Sequence, residues 1–316
     1  MAIELEQFVD ADHLAVLRAI PAGTVVLDDI PRRRAAFAAA ADAAPMPMPD
    51  DVTISEETAP GVRGAPAVRV KVYRRNGVTN DVPGLYWIHG GGMVLGSADR
   101  DDPRCAWLAS KLGIVVASVD YRLAPEHPYP APMDDCYSGL SWFASNASAL
   151  GVDSARLAIG GASAGAGLAA GLALLARDLK APAICFQLLI YPMIDDTNTT
   201  PSSYDIIDDR VWNRAANIVG WESYVGGLDD IPIYAAPARA DDLSGLPPAY
   251  VSVGTLDMFL DEDISYARKL LASGVPTELH VYPGAFHGSN GLVPKAALTR
   301  RWIADEHAAL VRALGL

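Results

Sequence analysis

A mainly parallel, doubly wound α/β sheet flanked by helices, with a helical cap, is the fold this sequence predicts. Three observations point to it. First, apolar runs of strand length (82–88, 114–119, 157–160, 183–190, 249–253 and 276–282) alternate with helix-type stretches (99–112, a run ending at Ala176, 259–273 and 294–314). Such alternation builds a parallel sheet with helices on both faces. Second, one stretch passes directly from strand through a Gly-x-Ser-x-Gly turn into helix. Third, residues 1–45 and 195–235 fall outside the alternation. The chain therefore divides into an N-terminal helical part of the cap (1–45), a first core part (46–194), a cap insertion (195–235) and a second core part (236–316).

Residues 1–45 are Ala-rich with helical periodicity, interrupted at Pro21. Arg32, Arg33 and Arg34 stand together there. In a chain with 38 acidic and 25 basic side chains they read as a solvated helix face or as partners in internal ion pairs. Pro45, Pro47 and Pro49 alternate with Met46 and Met48 and exclude helix, since proline restricts itself and the residue before it. That run links the helical piece to the sheet. Residues 51–57 and 67–74 alternate as antiparallel strands do. At 82–88 an apolar strand leads into His89 and then Gly90, Gly91 and Gly92. Three glycines after a buried strand mean backbone that something approaches closely, and amides with no side chain in the way are able to face an oxyanion. The mostly β-branched run 114–119 reads as a buried parallel strand.

The stretch 157–176 is the centre of the chain. A short apolar strand enters the turn Gly161-Ala162-Ser163-Ala164-Gly165, and an Ala/Leu-rich helix leaves it. A serine on so sharp a turn describes a nucleophile elbow. Its backbone is strained, a Cβ on its neighbours would crowd it, and the helix aims its N-terminal amides where negative charge gathers. The stretch has 20 uncharged residues, close to a bilayer span. Five glycines and eight alanines make it only weakly apolar, and Arg156 and Arg177 flank it, which excludes a transmembrane reading.

Further on, the strand 183–190 ends at Tyr191-Pro192. The insertion 195–235 carries Tyr204, Trp212, Trp221 and Tyr224 among acidic and small residues. The strand at 249–253 is followed by Thr255-Leu256-Asp257, and the strand at 276–282 by a loop from Pro283 to Gly288 that contains His287.

Composition narrows the function classes. A chain of 316 residues, 51% hydrophobic and 20% charged, supports one large core. A net charge of −13 and a pI of about 4.8 exclude nucleic acid and anionic membranes as partners. The acidic first ten residues have neither the basic nor the apolar region of a secretory signal. Cys105, Cys136 and Cys185 are widely spaced, without metal-ligand spacing. The expectation is ordinary thiols in a reducing cytoplasm, with no metal, no cofactor and no membrane span. Oligomeric state stays open, a homodimer included.

Three motifs in order, His-Gly-Gly-Gly at 89–92, Asp-Tyr-Arg-Leu-Ala-Pro-Glu-His-Pro-Tyr-Pro at 120–130 and Gly-Ala-Ser-Ala-Gly at 161–165, resemble the hormone-sensitive-lipase-like family of α/β-hydrolase esterases. The resemblance runs from about residue 50 to 315. It departs from the family's pattern at Ala162, where Asp or Thr is usual. It implies the α/β-hydrolase fold and small, fairly apolar ester substrates with short to medium acyl chains.

A serine hydroxyl needs a base to take its proton. Of the six histidines, His13 and His307 fall in helical stretches and are expected at the surface. His280 lies within a strand, His89 precedes the glycines, and His127 sits in a Pro-rich loop suited to a structural hydrogen bond. His287 follows a late strand and is the candidate base. For the acid, Asp257, Asp261, Glu262 and Asp263 crowd together. Asp257 directly follows a strand, where it reaches a loop histidine, whereas the other three fall on a first helical turn, where acids are expected for the helix dipole alone. The resemblance also selects Asp257, and Ser163, Asp257, His287 is the order of an α/β-hydrolase triad.

The expected chemistry is ester hydrolysis, with Gly91, Gly92 and Ala164 amides as the oxyanion hole and Met93, Trp212, Trp221 and Tyr224 along the substrate cleft. An amidase or lactonase with the same triad is one alternative. A non-catalytic binder is the other, although receptors of similar fold lack the histidine that this chain carries.

Overall fold

The computed structural model describes residues 3–43, 46–62, 64–78 and 81–316. Pro45, in the Pro-Met link, lies outside the described residues, as do the first two residues of the 1–45 segment. Eight strands form one sheet: β1 Val52–Ala59, β2 Val68–Arg75, β3 Val82–Ile88, β4 Val115–Val119, β5 Val152–Ala162, β6 Phe186–Ile190, β7 Ala249–Leu256 and β8 Thr277–Phe286. Their order is β1-β2-β4-β3-β5-β6-β7-β8. β2 is antiparallel to β1 and β4, and every other pairing is parallel. The strands from β3 to β7 are buried almost throughout, as both faces carry helices.

Strand order reverses between β3 and β5: β4 lies on one side of β3 and β5 on the other. A crevice opens at the strand ends beside such a reversal, and register decides what stands there. Ile88 pairs with Gly161, Ala162 with Ile190, and Leu256 with Phe286. The residues just past these pairs are the glycine run, Ser163, Tyr191, Asp257 and His287.

The helix Ala164–Leu179 is buried from Ala164 through Ala176. It follows that the uncharged stretch is core, each buried leucine contributing roughly 1.5–3 kcal/mol. Among the described residues no helix is long and apolar enough to cross a membrane. Helix Ala131–Ser145 covers the opposite part of the same core through Met133, Cys136, Leu140 and Phe143.

The segments outside the alternation lie together. Helices Leu5–Phe8, Ala11–Ala19 and Ile30–Ala43 precede the sheet, and helices Pro201–Asp205 and Arg214–Val225 occupy the insertion. Ile3 N–H donates to Asp205 O and Val25 N–H to Asp209 O, and Arg210 bridges to Glu6. Two of the three arginines are tied in place: Arg34 pairs with Glu126 and donates to Val94 O and Ala124 O, and Arg33 donates to Gly23 O and Val26 O. Arg32 keeps only a loose approach to Asp28, 3.8 Å.

Of the two histidines expected at the surface, His13 is buried and His307 is half-buried. His13 is 1% exposed; its ring contacts Asp10 and Thr299 and meets Phe286 edge-on. The N-terminal helix covers the end of β8 and the last helix, Ala297–Leu314, and so buries it. His307 stacks on Trp107 at 4.4 Å. Likewise Pro283 to Phe286 continue β8 and do not form a loop.

Candidate active site

Ser163 directly follows β5, with φ 57° and ψ −124°, a conformation of the kind that costs about 1–3 kcal/mol and lasts only where its surroundings impose it. Here its N–H donates to Ile190 O, and its carbonyl accepts from Gly167 N and Met193 N. Gly165 lets the elbow sit against the neighbouring strand, since a Cβ there would lie 2.1 Å from Ile88 O. The hydroxyl faces His287, with Oγ 3.0 Å from Nε2.

His287 Nδ1 stands 2.8 Å from Asp257 Oδ2, and Asp257 Oδ1 accepts from Phe259 N–H at 3.0 Å. With Nδ1–H donated to the carboxylate, Nε2 is left as acceptor for the serine hydroxyl. Asp257 is 1% exposed and Ser163 6%, so little bulk water competes for either bond. The three residues picked from the sequence thus form one hydrogen-bonded line.

The glycine run lies beside the serine: a Cβ on Gly90 would be 3.4 Å from Ser163 Cβ. Among the described residues the amides of Gly91 and Gly92 donate to no protein acceptor. The Ala164 amide is the first of the Ala164–Leu179 helix and has no intrahelical partner. Gly92 has φ +62°, and a Cβ on it would come 2.0 Å from the Trp212 ring. Trp212 therefore lies directly over the loop, 6.5 Å between centroids from His287. Its Nε1–H donates to Asn217 Oδ1, and Asn217 donates on to Asn198 Oδ1.

Of the other cleft candidates, Met93 is buried next in the loop with φ +65° and accepts from Ala124 N–H. Trp221 and Tyr224 are buried in the cap, and their ring contacts are with each other and, for Tyr224, with Tyr129.

Reading helix-dipole complements into the acids after Asp257 requires a correction. Only Asp261 stays near the surface, accepting from Ser202 N–H. Glu262 is 3% exposed and accepts from Ile194 N and Asp195 N, and Asp263 is fully buried without a hydrogen-bond partner. Burial pushes both carboxyls well above the usual carboxylate range. The first turn of helix Leu260–Ala272 is covered by the segment after β6 and by the insertion, which the spacing of acids alone does not reveal.

Two aromatic neighbours of His287 carry no motif. Phe259 meets the imidazole edge-on at 5.2 Å and Tyr191 at 4.6 Å. Tyr191 was visible only as the end of a strand before a proline.

With this geometry in view the comparisons are informative. Residues 85–290 match the sequence profile of a family described as alpha/beta hydrolase fold. The chain belongs to that family, among its hormone-sensitive-lipase-like members. It is 40% identical over 238 residues to carboxylesterase NlhH of Mycobacterium tuberculosis, covering 74% of each chain. To esterase LipI of the same organism it is 39% identical over 221 residues, 68% of this chain and 69% of the relative. The solved structure titled bacterial heroin esterase is 42% identical and superposes with a TM-score of 0.92 over 97% of this chain and 98% of that one. The matched span includes Ser163, Asp257 and His287, most of β3 and all of the strands from β4 to β8.

Proposed function

We propose that this carboxylic-ester hydrolase works through a covalent acyl-enzyme on Ser163 and takes small, fairly apolar esters with short to medium acyl chains. One observation carries the reading: Asp257, His287 and Ser163 stand in a single hydrogen-bonded line of 2.8 and 3.0 Å, beside two glycine amides that have no acceptor among the described residues.

Ser163 Oγ attacks the ester carbonyl while its proton passes to His287 Nε2, and Asp257 holds the resulting imidazolium. The carbonyl oxygen becomes an oxyanion facing the amides of Gly91, Gly92 and Ala164, where one well-placed donor is worth about 2.7–4 kcal/mol. The carbon–oxygen bond to the alcohol then breaks, and His287 gives its proton to the departing oxygen. Water, activated by the same imidazole, attacks the acyl-enzyme and releases the acid and the free serine.

Residues 1–45 and 195–235 act as one cap over the crevice, and Trp212 forms its wall. Ser163 is nearly covered and the indole lies against the oxyanion loop, which favours short acyl chains. A reducing cytoplasm suits three cysteines that are all free thiols.

The test is labelling with an organophosphate followed by a panel of esters, lactones and amides. One phosphoryl group per chain is expected, lost in Ser163→Ala, with kcat on esters lowered about 10⁴–10⁶-fold in a folded protein. Full esterase activity in Ser163→Ala refutes the serine mechanism. Faster turnover of lactones or amides than of esters refutes the substrate class.

A further inference from the structure

Tyr191 is neither part of the hydrogen-bonded line nor of the oxyanion loop, yet it is the most constrained residue around His287. It follows β6 with φ +37°, a left-handed conformation rare for a bulky side chain, and it precedes Pro192, whose ring narrows its choices further. Such a backbone persists where its surroundings over-determine it. Its N–H donates to Ser252 O at 2.6 Å. Its ring is wedged between His287 (4.6 Å) and Trp302 (5.9 Å). Trp302 is itself anchored by Nε1–H to Ser252 Oγ, so Ser252 on β7 fixes both aromatic rings.

The hydroxyl is the informative group. It is buried and donates to Asn290 Oδ1 at 3.0 Å. Asn290 belongs to the single turn Ser289–Leu292, three residues after His287 and joined to it through Gly288. Asn290 lies beside Glu306, a buried carboxyl bridged to Arg104 at 2.7 Å. The loop that carries the imidazole is thereby tied, on the side away from Asp257, to the end of β6 and to the last helix.

A carboxylate at Nδ1 fixes one end of the ring but leaves the loop free to rock about that bond. The imidazole has two tasks in one turnover, taking a proton from Ser163 and giving it to the leaving oxygen, and it must stay within hydrogen-bond reach for both. We propose that Tyr191, through its hydroxyl on Asn290 and its ring edge against the imidazole, is a positioning residue that holds the His287 loop in register with Ser163. This rests on the reading of Ser163 and His287 as nucleophile and base.

The experiment uses the full chain with Tyr191→Phe, Asn290→Ala and the double variant, measuring kcat and KM on a short ester and the rate of organophosphate labelling at Ser163. Tyr191→Phe keeps the ring and removes only the hydroxyl. The expected result is a kcat lowered about 5–20-fold in each single variant, with KM changed less than about twofold and labelling slowed in parallel. Because the two groups act through one bond, the double variant is expected to match the worse single one and not to multiply the losses. A wild-type kcat and labelling rate in Tyr191→Phe overturn the proposal, as does a loss confined to KM or a multiplicative double variant. A wild type that does not label overturns the serine reading itself, a distinct failure. A purely structural role would lower the unfolding temperature and leave kcat and labelling as they are.

Discussion

Past the ends of β3, β5 and β6 stand three non-glycine residues in left-handed backbone, Met93, Ser163 and Tyr191. The cap above them contains one such residue within its insertion, Asn198. It is fastened to itself and the core partly by ion pairs at or near the surface: Glu6 with Arg18 and Arg210, and Arg34 with Glu126. Apolar burial holds both, since Leu17, Ile206, Trp221 and Tyr224 join the same core as the sheet; what differs is what is added to it. Register in a buried parallel sheet leaves no alternative pairing that keeps the apolar faces inside, so strained residues at its edge stay where they are. Exposed ion pairs contribute little in water and weaken with salt. The contrast sets a rim of strained residues against a helical layer that also leans on surface charges.

The largest expected effect tests the rim alone. Asp257→Asn should lower kcat/KM by about 10²–10⁴-fold, since the carboxylate that orients Nδ1 is lost. Asp261→Asn, which touches only Ser202 of the insertion, should cost less by at least about 10²-fold on the same ester. Equal losses would mean that cap attachment and acid function are not separable.

A smaller effect probes the boundary. Gly92→Ala should lower kcat about 10²-fold, from both its positive φ and the collision with Trp212. Trp212→Ala in that background removes the collision and leaves the φ, so recovery divides the loss between cap and rim. By itself Trp212→Ala should shift preference among acetate, butyrate, hexanoate and octanoate esters several-fold, each buried methylene being worth about 0.8 kcal/mol. Unchanged ratios would take Trp212 out of the cleft wall.

The smallest effects concern stability and carry opposite signs. Asp263 is buried, and desolvation first, then nearby Glu262 and Asp257, raise its titration in the folded state. Its contribution is present at acid pH and lost as pH rises towards that raised value. Asp263→Asn should therefore gain a few degrees of unfolding temperature over wild type at pH 8 and nothing at pH 4. His307 is pushed down to about 4, by burial first and the Arg104 charge second. Its neutral ring stabilises the fold above about pH 6.5, and that stabilisation is lost as pH falls towards 4. His307→Gln should flatten the acid limb of the stability profile. Calorimetry from pH 4 to 8 reads both.

Much of the rim was legible because it depends on local chemistry. A Gly-x-Ser-x-Gly turn between strand and helix, a glycine run after a strand, and Asp257 and His287 just past strands are all one-dimensional signals of positions that β pairing then brings together. What the sequence hid depends on which face of an element is covered. Glu262 and Asp263 look like ordinary acids opening a helix, and only the cover over that turn makes them buried groups. His13 looks like a surface residue on an Ala-rich helix until the far end of the chain covers it. Tyr191 carried a trace, a strand ending at Tyr-Pro, but its positive φ and its partner ninety-nine positions along have no local signature. The chain from Trp212 through Asn217 to Asn198 is equally invisible, because polar side chains in an insertion obey no period.

The bond from His13 to Thr299 spans 286 positions, and it sets an order on biosynthesis. Domains form progressively as the chain leaves the ribosome, but here the early helix Ala11–Ala19 has its buried partner in the much later helix Ala297–Leu314. Until Ala297–Leu314 emerges, Ala11–Ala19 has no seat and its histidine face stays in water. Ser163 likewise waits 124 positions for its imidazole. In a nascent chain Ser163 and His287 therefore stay apart until β8 joins the sheet.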